Sequence, residues 1–311
     1  MNLRQLSGIL LCYCYHRSFA FRFSVGRNNV KASGGPPSIY HDGVWSRSNR
    51  VSLEIRQLTN RFDVRSTALH AFDKREHQTR GEFDTGAVLK YGAALAIQMT
   101  LFFIAFTGLD VMVVNFGVEV PFIANCFLFY VAALKSRALN PLANNRPQPK
   151  NLEIDGLQRR MPTWTPPGIV FPIVWLLIIG PIRAVSSAMI YKTTGSYAVP
   201  AILSLALHLS IGDIWNTINN VERRYGVAVF GVLCVWLSKA FAAYEFFRVN
   251  QMAGKVLGLT LVWLTVASAL VTRTWQLNPD PTTGKAQPLF PIKGKTKTKL
   301  AWFSDLKGEQ K

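Results

Sequence analysis

Several ionisable side chains fall inside long apolar runs of this sequence, among them Glu119, Arg183, His208, Asp213, Lys239 and Arg273. A charge near the centre of a bilayer costs at least about 2.5–3.5 kcal/mol, so each must face a protein interior, reach an interface or find a partner. Arg183 and Arg273 stand near the ends of their runs and are expected to snorkel. His208, Gly212, Trp215, Asn216 and Asn219 recur at three- and four-residue spacing and so share one helix face. Asp213 lies beside that face. A polar stripe on a membrane helix points inward, and Asp213 with Lys239 is the expected intramembrane pair between two helices adjacent in sequence. Two chemistries fit: a polar lock between helices, or polar contacts to the carboxylates or ring nitrogens of a bound molecule. His208 as an axial metal ligand is the weaker alternative, because a lone helical His is more often a packing residue. Metal: none is the expectation, since Cys12, Cys14, Cys126 and Cys234 show no metal-ligand spacing. The sequence has no glycine-rich phosphate loop and no nucleophile elbow, so it leans away from enzymatic catalysis.

The elements that hold these groups are read from hydropathy. Of 311 residues, 49% are hydrophobic and 17% charged, against roughly 25% charged in soluble domains. The net charge is +18, and its Lys and Arg sit in tails and loops between apolar blocks. That pattern fits a membrane protein with anchored loops and not a nucleic-acid surface. Apolar runs lie at Leu89–Leu109, Val111–Leu134, Gly168–Tyr191, Val199–Asn219, Tyr225–Phe247 and Lys255–Trp275. The first two together exceed one hydrocarbon thickness, so the chain must turn between Thr107 and Pro121. With six spans, the N-terminal flank, the loop Lys135–Thr163, the loop Glu222–Arg224 and the C-terminal segment share one strongly basic side. The other side holds Lys192, Arg248 and Lys255. The positive-inside rule favours that count over five. The expected fold is an all-α polytopic membrane helix bundle.

The stretch "MPTWTPPGIVFPIVW" (161–175) opens the third run. Pro166 and Pro167 suit a first helical turn, which needs no backbone donors there, with Thr165 as cap. Trp164 then falls in the head-group belt. Trp175 lies three turns further on, about 16 Å deeper, where an indole needs tight packing or a flat ligand to stack on.

These residues resemble the TspO/MBR family of tryptophan-rich sensory and translocator proteins. The stretch "PTWTPPGIVFPIVW" is similar to the family's second-helix signature. "HLSIGDIW" (208–215) resembles its third helix, with His208, Leu209 and Trp215 at pattern positions, and Trp263, Ala267, Trp275 and Asn278 match its fifth. The resemblance spans about 111–279 and implies a TspO-like five-helix core with an extra N-terminal span, making six. It also implies a pocket that takes porphyrins, sterols or synthetic aromatics in relatives. Trp175, Trp263 and Ala267 match pocket positions there, and two facing indoles beside a small residue make a slot for a planar guest. The expected ligand-binding set is Trp175, Trp215, Trp263, Ala267, His208 and Asn216. The guest expected is a tetrapyrrole such as a non-covalent porphyrin, or its precursor, held for transport, sensing or buffering. The sequence departs from the family in placing Gly212 at an Asn position and Asn219–Asn220 where paired aromatics often stand. No cholesterol-recognition pattern follows Tyr244.

Residues 1–85 read as a targeting presequence and disordered basic leader: a short apolar run, then "SFA", then a basic, acid-poor stretch to Asp42. That composition suits an organelle membrane protein, plastid first and mitochondrial as the alternative. The bundle is expected over 86–280 and a basic flexible tail over 281–311, contacting membrane lipid head groups. Other readings stay open: a scaffold that binds membrane-protein partners and no ligand, a homodimer through packed helices, or a proton-coupled solute transporter using Asp213 and Lys239. Nucleic acid is not an expected partner.

Overall fold

The computed structural model describes residues 81–147 and 158–304, except 282 and 295. The expected presequence, nearly all of the leader and the last residues of the basic tail lie outside the described residues. Among the described residues, six helices are long and apolar enough to cross a bilayer: α1 (Thr85–Phe116), α2 (Phe122–Leu139), α3 (Val170–Thr194), α4 (Pro200–Val221), α5 (Tyr225–Val249) and α6 (Gln251–Leu277). Among the described residues there is no strand, and two isolated bridges, Phe83 with Ile292 and Leu142 with Leu300, are the extended pairings. The protein is a polytopic helical membrane bundle.

The turn expected between the first two spans is Gly117–Pro121. Gly117 adopts φ 60° and closes α1 by donating to Val113 and Val114, a left-handed cap that favours glycine. Pro121 then opens α2. Along the bundle, α1 lies on α4 and α2 on α3; α4 packs on α5, and α6 packs on α5 and, through its first turns, on α3. Phe106, Phe129, Ala188, Leu205, Phe246 and Leu257, one from each helix, belong to one buried cluster. On α5 the exposed residues Phe230, Leu233, Leu237 and Phe241 follow three- and four-residue steps and form the lipid-facing stripe.

The extra helix is stitched to α4 along its length. Asp84, Tyr91 and Gln98 are seven residues apart, two turns each, and line up on one face. Asp84 pairs with Arg224 at 3.0 Å, Tyr91 donates to Glu222, and Gln98 donates to Asp213 at 2.9 Å. Near the other end of α1, the Asp110 carboxylate accepts from the Ser196 hydroxyl at 2.6 Å and from the Tyr197 and Ala198 amides at 2.6 and 3.0 Å.

The four segments expected on one basic side do gather at one end. Residues 287–301 run there as a strap. Asp84 donates its amide to Pro291, Lys293 to Glu82, Ala143 to Lys299 and Ala301 to Pro141, at 2.7–3.0 Å. Arg224 donates to the Thr296 carbonyl and Lys90 to that of Thr298.

Candidate functional site

The opening motif is arranged differently from the sequence expectation. Helix α3 begins at Val170, not at Pro166. Thr165 does not cap it: its amide and hydroxyl both donate to Pro162, at 3.1 and 2.6 Å. Pro166 and Pro167 sit in the turn before the helix, and the Pro167 carbonyl accepts from Val170. Two successive rings cannot donate, so the chain closes one tight turn before the helical ladder starts. Trp164 is 49% exposed, as a head-group indole would be.

Trp175 sits in a π-helical stretch, Val174–Ile179. Pro181 follows, and a proline within a helix removes one ladder bond and crowds the preceding turn; the wider π turn absorbs it. From α2, the Tyr130 hydroxyl donates to the Leu176 carbonyl at 3.0 Å. Its ring lies over Gly180, where an added Cβ would be 2.6 Å from Tyr130 Cε2. The glycine permits the approach that serves the freed carbonyl.

The Trp175 ring is covered by the Arg183 guanidinium, 5.2 Å from its centroid. Arg183 does not snorkel. It is 9% exposed in mid-span, and its Nη2 lies 3.0 Å from His208 Nε2. His208 Nδ1 is 3.2 Å from both the Val235 carbonyl and Ser238 Oγ. A carbonyl cannot donate, so Nδ1 carries the proton and Nε2 accepts from Arg183. Both ring nitrogens are therefore engaged, which leaves none for a metal. A continuous chain of contacts runs from Trp175 on α3 through Arg183 and His208 to Ser238 on α5.

Lys239 follows Ser238 and is 0% exposed. Its ammonium has no hydrogen-bond partner among the described residues, and neither does Arg183 Nε. The pair expected between Asp213 and Lys239 does not form. Asp213 Oδ2 takes the Gln98 amide, and the Asp213 carbonyl takes Arg137 and Thr217. The α1 helix supplies the donor, and it lies 115 positions away in sequence.

On α6, Trp263 turns its ring toward α3, edge-on to Phe171 with centroids 6.1 Å apart. Its Nε1 is buried and has no acceptor among the described residues. Ala267, one turn on, is half-buried. Trp215 belongs elsewhere: its indole donates to the Ala228 carbonyl at 3.0 Å and presses on Gly231, where an added Cβ would lie 3.0 Å from the ring. It is a staple between α4 and α5. Asn216 lies at the bundle end, accepting from Arg146 at 3.3 Å and Asn220 at 3.0 Å. There α4 finishes in a second π turn, Thr217–Val221. Arg159 donates to the Asn219 carbonyl within that turn, where a helix terminus is negative and short of donors, and Arg137 donates to the Asp213 carbonyl just before it.

The structure thus brings Trp175 and His208 into one chain of contacts and sets Trp263 on the wall facing α3. Trp215, Asn216 and Asp213 have other partners. The sequence reading missed Arg183; its signal was a guanidinium eight residues beyond a deep Trp on a run that had not yet ended.

Fold and site together define a six-helix membrane protein with an aromatic and basic interior. Residues 150–276 match the model of the TspO/MBR family. It is 27% identical over 125 residues to protein CrtK of Rhodobacter capsulatus, covering 39% of this chain and 76% of the relative. It is 26% identical over 117 residues to the tryptophan-rich sensory protein of Cereibacter sphaeroides, covering 38% and 72%. Over 129 residues it is 26% identical to translocator protein 2 of Mus musculus, covering 40% and 78%. The family match covers α3 to α6; α1 and α2 precede it.

Proposed function

We propose that this protein binds a planar hydrophobic molecule, a tetrapyrrole or its precursor, between α3 and α6, and transports, senses or buffers it in an organelle membrane. The observation that carries the reading is Trp263. A large, half-buried indole has its buried N–H unanswered among the described residues and stands edge-on to Phe171 of α3, the Trp175 helix. An unpaired buried donor costs about 1–3 kcal/mol, and a ring nitrogen or carbonyl of a guest would satisfy it. Ala267, one turn on, is small enough that a flat guest would meet no bulky side chain there. Relatives named sensory and translocator proteins support handling of a small molecule over chemical conversion of one. The basic, acid-poor leader supports the organelle, plastid first.

The test is quenching of tryptophan fluorescence as protoporphyrin is titrated into the purified chain. Trp263→Ala and Trp175→Ala are expected to weaken the titration at least about tenfold, the loss of one good aromatic contact. Unchanged titrations in both variants would refute the slot. Expression as a fluorescent fusion tests the compartment.

A further inference from the structure

Among the described residues, the interior of the bundle holds two basic side chains that no carboxylate pairs with. Lys239 is fully buried with its Nζ unpartnered among these residues, and Arg183 is buried with Nε likewise unpartnered. Each acts electrostatically on His208, which lies between their helices on α4. Asp213 makes no ion pair with Arg183; its Oδ2 is held by Gln98. Breaking a buried ion pair costs about 3–5 kcal/mol because a lone buried charge is left. Here, among the described residues, Arg183 has His208 and Trp175 as neighbours but no paired carboxylate, and Lys239 has no hydrogen-bond partner. The guanidinium is already oriented, stacked on Trp175 and tied to His208. On the His208 face of α4, one turn on, a side chain added at Gly212 would meet no atom within 4 Å, so the helix surface there is open.

We infer that Arg183, Lys239 and the open face at Gly212 form a buried anion site for a carboxylate. A carboxylate accepts in the plane of a guanidinium and from an ammonium together, forming short charge-assisted bonds. The carboxylate has two sources, the acid arm of a planar guest or a small free carboxylic acid. The first rests on the slot reading above; the second does not.

Both are tested on the full chain purified in detergent. Protoporphyrin is compared with its dimethyl ester, which keeps the ring and removes the charge. The wild type is expected to bind the free acid at least about tenfold more tightly, one charge-assisted bond's worth, and Lys239→Met to show less than a twofold preference. Lys239→Arg should restore it. Met at 239 also removes a buried amine that has no hydrogen-bond partner among the described residues, so the variant is expected to fold at least as well as the wild type. Equal affinities in the wild type, or a preference unchanged by Lys239→Met, overturn the site while leaving the slot standing. If neither porphyrin binds, the slot fails, and thermal melting with butyrate against butyramide at equal chloride decides the anion site. A rise of about 2–4 °C with butyrate in the wild type and none in Lys239→Met supports it; equal melting overturns it.

Discussion

Gly226, in the first turn of α5, leaves no room for a methyl group beneath the strap. A Cβ built there would lie 2.5 Å from the Gln287 carbonyl oxygen and closer still to that of Pro288. The same stretch of strap accepts the Trp275 indole N–H at 2.8 Å, and the Gln287 side chain accepts the Tyr225 amide at 2.9 Å. Gly226→Ala must therefore push backbone away, since no flexible side chain can yield. The expected result is loss of the strap from the bundle end at a cost of about 1–3 kcal/mol. Limited proteolysis reads it as faster cleavage within residues 281–300, with the helices intact.

Beside that contact, the end of the bundle is clasped by Asp84 and Arg224. Burial pushes the Asp84 carboxyl up, but the Ala87 amide, the Arg224 hydrogen bond and the charges of Arg224 and Lys90 together hold it below its ordinary value of 3.8. A carboxylate more acidic in the folded chain stabilises the fold above its unfolded value, and that contribution fades as pH falls through the folded one. The clasp is thus expected to persist at neutral pH and to be lost only below about pH 4. Thermal melting across pH 3–7 checks this: Asp84→Asn should be less stable than the wild type at pH 7, and the two should converge at the acid end.

How much of this could be read from residues is clearest at particular positions. The six spans were legible because bilayer thickness sets a length that apolar runs must meet, and the Gly117–Pro121 turn because glycine and proline mark it. The basic side was legible because topology is set by loop Lys and Arg. Arg183 was misjudged because its apolar run seemed to stop at Tyr191, whereas α3 continues to Thr194 and puts the guanidinium in mid-span. Asp213 was given the wrong partner because sequence order suggested the following helix, while its donor, Gln98, comes from the extra helix α1. The strap carries no periodicity of either 2 or 3.6, so a string of Lys and Thr gave no sign of its contacts with Glu82, Pro141 and Asp84.

Asp110 supplies a sharper test of the stitched helix. Its carboxylate answers two backbone amides and one hydroxyl in the turn between α3 and α4. Asp110→Ala would leave those donors without a carboxylate, at about 1–3 kcal/mol for the set since the turn is partly reachable by water. Asp110→Asn should recover part of the loss, because an amide oxygen accepts but carries no charge. Melting of both variants, with hydrogen exchange at residues 196–198, measures it; equal stability of Asp110→Ala and the wild type would remove α1 as a brace for the family core.

Trp215 separates structural indoles from a ligand indole. Its N–H is already satisfied by Ala228 and its ring fills the groove over Gly231, whereas the Trp263 N–H has no acceptor among the described residues. Trp215→Phe is expected to lose one hydrogen bond and some packing, about 1–3 kcal/mol of stability, with protoporphyrin affinity within about twofold of the wild type, no guest contact having been removed. Trp263→Phe keeps the ring stacking but deletes the N–H. It should leave stability unchanged or slightly raised, since an unsatisfied buried donor disappears, and weaken porphyrin binding several-fold, the share carried by one hydrogen bond. Melting and fluorescence titration on the same two preparations give opposite rankings if the assignment holds. A loss of affinity in Trp215→Phe as large as in Trp263→Phe would mean that the guest lies against α4 and α5, not between α3 and α6.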